Sequence, residues 1–79
     1  MKAKILTNDP SLITMFRLGS IEGSFADDYQ KAKDEFAKAC KENDLAVLII
    51  TKSIEKLIEK EIDAHRLSEN MPLIVIIDG

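Results

Sequence analysis

The sequence contains few of the residues that stabilise small folds covalently or through aromatic packing. Its 79 residues include one cysteine, two prolines, three glycines and no tryptophan, and aromatic residues make up 5%. With Cys40 alone, no intramolecular disulfide and no cysteine-based zinc site can form, which is typical of an intracellular protein. Apolar runs stay far below the ~18 residues of a membrane span, and Met1 to Leu6 lacks the apolar core of a signal peptide. We therefore expect no membrane insertion.

An excess of basic residues is also absent. The chain has 11 lysines and arginines against 14 acidic residues, a net charge of -3. The lysines alternate with acids instead of clustering, which argues against a nucleic-acid partner. With 46% hydrophobic and 32% charged residues, the composition is that of a globular domain. The length predicts one small α/β domain, residues 1–79, without room for a deep active-site cavity.

The stretch Leu45 to Ile50 is apolar throughout and rich in β-branched residues, so it predicts a strand buried on both faces. Helical and strand patterns alternate around it. The predicted strands are Ala3 to Thr7, Ser20 to Phe25, Leu45 to Ile50 and Leu73 to Ile77, and the predicted helices are Pro10 to Leu18, Ala26 to Asn43 and one beginning after Thr51 and fading around Arg66 to Ser68.

Local signals mark the ends of these helices. Asp9 suits the N-cap and Pro10 the first position of helix one, and Gly19 suits a left-handed residue at its end. Thr51 suits the N-cap of helix three. In helix two, the apolar stripe is formed by Tyr29, Ala32, Phe36, Ala39 and Cys40.

This alternation predicts a small doubly wound sheet of four parallel strands, a three-layer sandwich of the flavodoxin or receiver type. Right-handed crossovers and the half-polar edge pattern of Ser20 to Phe25 favour the strand order 2-1-3-4. In that order helix one lies on one face, and helices two and three lie on the other. Strands three and four then lack a helix on the first face, although both are apolar. We expect a fourth helix or another protein to cover them.

Ligands of doubly wound sheets bind beyond the strand ends at the switch in strand order, here at Asn8, Asp9, Thr51, Lys52 and Ser53. No glycine-rich phosphate loop is present there, so helix capping is the better interpretation. A receiver-like phosphotransfer domain is one alternative, but Thr51 stands where its aspartate belongs and a fifth strand is missing. A generic flavodoxin-like ligand-binding module is the other alternative.

No side chain elsewhere predicts catalysis, a metal or a cofactor. Cys40 lies on the buried stripe of helix two, where a small apolar side chain is needed. His65 has no second histidine or cysteine near it. The neighbouring acids Glu59, Glu61 and Asp63 fit a solvated helix face.

Four segments resemble the F subunit of the A-type and V-type rotary ATPases, the ATP synthases of this class. They are Phe16 to Gly23, Leu48 to Thr51 before a charged helix, Ile62 to Arg66, and Pro72 to Ile77. Their order and spacing cover nearly the whole chain. The departures are Met15 for the usual glycine, Gly19 for alanine and Ser20 for glycine.

The resemblance implies a non-catalytic component of the central stalk, cytoplasmic and peripheral to the membrane. Such a component binds the coiled-coil D subunit of the rotor, contacts other central-stalk and catalytic-head proteins, and helps couple ATP hydrolysis or synthesis to ion transport. Family members usually continue into a C-terminal helical segment along the rotor, whereas this sequence stops at Gly79. Together with the apolar face of strands three and four that is expected to lack a helix, the resemblance gives the expected partner-binding residues: Phe16, Arg17, Leu18, Leu73, Val75, Ile76 and Ile77.

Overall fold

The computed structural model describes residues 2–79, which form four strands and four helices, with one helix in each of the first two crossovers and two in the third. In chain order they are β1 (Lys2–Thr7), α1 (Pro10–Leu18), β2 (Glu22–Phe25), α2 (Tyr29–Cys40), β3 (Leu45–Thr51), α3 (Lys52–Glu55), α4 (Glu59–Ser68) and β4 (Leu73–Ile77). Every crossover between strands contains a helix, as parallel pairing requires.

The four strands form one parallel sheet in the order β2-β1-β3-β4, which confirms the predicted fold class. β3 is central, and its residues Val47 and Ile50 lie opposite Leu73 and Ile76 of β4. An irregularity after Lys2 shifts the register of β1 against β3. Because side chains alternate along a strand, this register decides which residues share a face.

Helices α2, α3 and α4 pack on one face of the sheet and enclose the core. Ile54, Ile58 and Ile62, four residues apart, are at most 1% exposed. They meet the strand residues whose side chains point to the same face: Leu6, Leu48, Ile50 and Ile74. α2 contributes the rest of the core with Ala32, Phe36 and Ala39. This layer therefore spans both halves of the sheet.

Within residues 2–79, helix α1 is the only helix on the opposite face of the sheet. Its beginning is as predicted, because Asp9 Oδ1 accepts a 2.9 Å hydrogen bond from Ser11 N and Pro10 is the first helical residue. Ile13 packs directly on Gly23 of β2, where an added Cβ would lie 2.9 Å from Ile13 Cγ2. None of the side chains of α1 is fully buried. The side chains through which α1 packs on the sheet are therefore only partly buried.

Three helix predictions were wrong in detail. Helix two was predicted from Ala26 to Asn43, but α2 begins after its N-cap Asp28 and ends at Cys40. The predicted third helix is interrupted at Lys56 to Ile58 and forms the short α3 and the longer α4. Gly19 has an ordinary φ of -95°, and the left-handed residue is Ser20, with φ 66°. The turn after α1 therefore closes one residue later than predicted, and β2 begins at Glu22 instead of Ser20.

Two side chains also differ from their predicted roles. Thr51 precedes α3, but its hydroxyl makes no capping bond and is buried in the sheet instead. Tyr29 is 45% exposed, because its hydroxyl donates to Glu61 Oε2 at 2.7 Å on the surface. The apolar stripe of α2 therefore begins at Ala32.

Acidic and basic side chains join the elements at the amino end of β1. Lys4 Nζ lies 2.8 Å from Glu42 Oε2 and 3.7 Å from Glu22 Oε2, and Lys2 Nζ lies 3.7 Å from Glu42 Oε1. A hydrogen bond to Glu42 raises the pKa of Lys4, against the opposing effect of its partial burial. The network ties β1 to β2 and to the residues after α2.

Within residues 2–79, each helix is too short or too polar to cross a bilayer.

Candidate functional site

An apolar surface without a covering helix lies on the α1 side of β3 and β4. Leu73 is 62% exposed and Val75 37%, while Val47, Ile49 and Ile77 are half-buried. The alternate residues of the same strands point to the helix-covered face and include fully buried ones such as Leu48 and Ile50. We call this surface, formed by Val47, Ile49, Leu73, Val75 and Ile77, the open face.

The open face exists because α1 covers only the other half of the sheet. α1 contacts β1 and β2, and among residues 2–79 no second helix lies beside it on this face. Neighbouring strands are ~4.8 Å apart and a helix with its side chains is ~10 Å wide, so two strands leave room for one further helix. The predicted gap in the helix layer is therefore present in the structure.

The border of the open face on the α1 side is apolar as well. Leu12 approaches Gly79, since a Cβ built there would lie 3.3 Å from Leu12 Cδ1 and 3.1 Å from Thr51 Cγ2. Met15, one helical turn after Leu12 on the same side, is 62% exposed. Met15 extends the open face along α1.

The structure separates the four predicted partner-binding residues of β4 into two sets. Leu73, Val75 and Ile77 lie on the open face. Ile76 points to the other side and packs against the helix-covered core. Because side chains alternate along a strand, the sequence implied that one of the two sets faces outward. Which set does so is known only from the pairing register of β4 with β3.

The three predicted residues of α1 do not join the open face as a group. Phe16 is half-buried under the helix. Arg17 lines a shallow surface depression with residues 20–23, on the β2 side of α1 and thus away from β3 and β4. Leu18 is 86% exposed at the end of the helix.

At the switch in strand order, polar side chains hydrogen-bond to one another. Thr51 Oγ1, fully buried, donates to Thr7 Oγ1 at 3.2 Å, and Ser53 Oγ donates to Asn8 Oδ1 at 2.9 Å. The backbone N–H of Ser53 donates to the Gly79 carbonyl at 3.2 Å. Thr51, at the position of a receiver aspartate, is therefore a buried structural hydroxyl with no carboxylate to phosphorylate.

The remaining polar residues at this edge are also paired. Lys52 Nζ lies 2.9 Å from Asp78 Oδ1, and this hydrogen bond raises the pKa of Lys52. Asp9 is engaged as the cap of α1. Across residues 2–79, histidine, cysteine and acidic side chains form no group of three that could hold a metal ion.

A cysteine and a histidine meet between α2 and α4. Cys40 Sγ lies 3.6 Å from His65 Nδ1, and His65 Nε2 lies 2.8 Å from the Pro72 carbonyl oxygen. A carbonyl only accepts, so Nε2 carries the proton and Nδ1 accepts from the thiol. Burial raises the pKa of the Cys40 thiol, which favours this protonated form. The pair is a structural link, and its members are too far apart along the chain for a local pattern to indicate it.

The family comparison fits this architecture. A family model described as ATP synthase (F/14-kDa) subunit matches residues 5–79. The chain belongs to this family. The match includes the second half of β1 and every later element, so it covers the open face as well as the core. The resemblance seen in the sequence is confirmed, and the chain is part of an ATP synthase complex. A search of curated proteins gives no significant match.

Proposed function

We propose that this chain is a non-catalytic component of the central stalk and that its open face binds the coiled-coil D subunit of the rotor. In this role it helps couple ATP hydrolysis or synthesis to ion transport, on the cytoplasmic side and peripheral to the membrane. Other central-stalk and catalytic-head proteins are its further neighbours in the complex.

The observation that carries the proposal is the open face itself. It is apolar, it continues onto Met15 of α1, and its width suits one helix packed beside α1. A coiled coil presents helices of this kind to a partner. Large exposed apolar surfaces of this sort mark protein interaction sites.

The free energy gained by burying the exposed side chains of this surface can be compared with what a stable interface requires. Leu73 and Met15 are each 62% exposed and Val75 is 37% exposed. At ~2 kcal/mol for a fully buried side chain, covering them is worth roughly 3 kcal/mol before the costs of association. A stable stalk needs more than that. We therefore expect half-buried Val47, Ile49 and Ile77, and partner contacts outside the open face, to complete the interface.

The experiment is a binding measurement between the full chain and the coiled-coil rotor protein, with charged substitutions on and off the open face. Leu73→Lys should reduce binding at least tenfold, because the charge cannot be buried under an apolar helix. Leu67→Lys is the matched control: Leu67 is 85% exposed on α4, in the opposite helix layer, and binding should stay within about twofold.

A third variant, Leu18→Lys, tests whether the end of α1 belongs to the interface. Reduced binding would include the Phe16 to Leu18 segment, and unchanged binding would restrict the interface to β3, β4 and the Met15 side of α1. If Leu73→Lys binds normally and Leu67→Lys does not, the rotor contact lies on the α4 layer and the proposal is wrong.

A further inference from the structure

The outer edge of β4 is a second surface, separate from the open face. In the part of the chain that the structure describes, β4 pairs with a strand on one side only, and its five residues are apolar, with neither charge nor proline. Such an edge presents unpaired N–H and C=O groups to which a strand of a second copy can add. Edge strands of natural proteins usually carry a charge, a proline or a cover that prevents this.

Alternation along β4 determines which backbone groups are free. Side chains and backbone groups both reverse direction at each residue of a strand. The carbonyl of Ile74 reaches a donor from α4, so Ile74 directs its backbone groups away from β3. Ile76 and Pro72, each two residues away, direct theirs to the same side. These three residues form the edge that an added strand would contact.

Two consecutive residues of α4 occupy the first part of this edge. His65 Nε2 donates to the Pro72 carbonyl at 2.8 Å, and Arg66 Nη2 donates to the Ile74 carbonyl at 3.4 Å. Pro72 itself has no N–H to offer. Only the N–H of Ile74 and the groups of Ile76 remain for an incoming strand.

The hydrogen bond from Cys40 holds His65 in the tautomer that this arrangement needs. The thiol lies on Nδ1, which leaves the proton on Nε2, facing Pro72. The ring is also held by Phe36, whose ring centroid lies 5.9 Å away at 83°. His65 is thus fixed from two sides, whereas Arg66 is an exposed side chain that reaches over the edge.

We propose that His65 and Arg66 block the edge of β4 and prevent a second copy of this chain from adding to the sheet. The block leaves the open face accessible, because the backbone edge and the open face point in perpendicular directions. It directs partners to side chains on the face instead of to backbone groups on the edge.

The test compares the parent with the double variant His65→Ala, Arg66→Ala by sedimentation velocity over increasing concentration. The double variant should form dimers at concentrations where the parent is monomeric. In hydrogen exchange, the amides of Ile74 and Ile76 should become at least tenfold slower as the dimer forms, because they pair with the second copy. Arg17→Ala, which removes an arginine on the far side of α1, is the control and should behave as the parent.

Adding a third substitution to the double variant distinguishes association through the edge of β4 from association through the open face. Val47→Lys places a charge on the open face but not on the edge strand, so association of the double variant should persist with this substitution. Loss of association with Val47→Lys, or a double variant that stays monomeric with a native circular dichroism spectrum, would overturn the proposal. If the double variant does not fold, the single variant Arg66→Ala, at an exposed position, is measured in the same two ways. Slower hydrogen exchange of the Ile76 amide with increasing concentration would support the block. An exchange rate equal to that of the parent would contradict it.

Discussion

Replacing Gly23 by alanine tests how α1 is attached to the sheet. A Cβ at this position would lie 2.9 Å from Ile13 Cγ2, 3.1 Å from its Cγ1 and 3.3 Å from its Cβ. The branched atoms close to the Ile13 backbone cannot swing aside as the end of a flexible side chain can. Helix α1 must therefore move away from β2.

The free energy of unfolding should decrease by about 1–2 kcal/mol. The extra methyl group overpacks the contact, which costs roughly 1–3 kcal/mol of stability. Alanine offsets up to ~1 kcal/mol of this cost, because it loses less conformational entropy than glycine when the chain folds. For a domain of this size each kcal/mol shifts the melting temperature by about 4–8 °C. Urea unfolding followed by circular dichroism measures both the midpoint and its slope.

Gly19→Ala is the control, because a Cβ there lies an ordinary 3.5 Å from the Phe16 carbonyl and φ is -95°. This variant should be as stable as the parent or more so, by up to ~1 kcal/mol. Ile13→Ala removes the two clashing atoms, so the double variant with Gly23→Ala should lose less stability than the sum of the single variants. A Gly23→Ala protein as stable as the parent would refute the close packing of α1 on β2.

Two further predictions concern pH and ligands. The pKa of Lys4 is raised by its hydrogen bond to Glu42, so its contribution to stability is fully present below the ordinary pKa of 10.5 and is lost as pH rises through the folded value. Between pH 9 and 12, the urea midpoint of Lys4→Met should therefore fall less steeply with pH than that of the parent. Equal slopes for the two proteins would contradict this. The isolated chain should bind neither ATP nor acetyl phosphate with Mg²⁺, because Thr51 is buried and Asp9 caps α1. Micromolar binding in a calorimetric titration would contradict this.

The topology could be predicted because independent rules agreed on it. The apolar run of β3 indicated a central strand, and the helical crossovers indicated parallel pairing. Right-handed crossovers and the half-polar edge pattern of Ser20 to Phe25 together favoured the order found. The same reasoning predicted a half-covered sheet. It could not decide between Val75 and Ile76 as the outward residue, because a strand apolar on both faces carries no alternation signal.

The interruption between α3 and α4 had no signal in the sequence. Ile54, Ile58 and Ile62 recur every four residues across it, and all three are buried as in a continuous helix. Neither glycine nor proline marks Lys56 to Ile58. The Cys40 and His65 link was equally hidden, since contacts between two helices depend on their packing and not on local pattern.

The shallow attachment of α1 has a consequence for motion. Segments with few buried apolar contacts open at a free energy below that of global unfolding, and α1, with no fully buried side chain, is such a segment. When α1 alone detaches, the uncovered surface extends from Val47 and Ile49 across Ile5, which is fully buried in the closed form. The open state would therefore expose a wider apolar surface than the closed form.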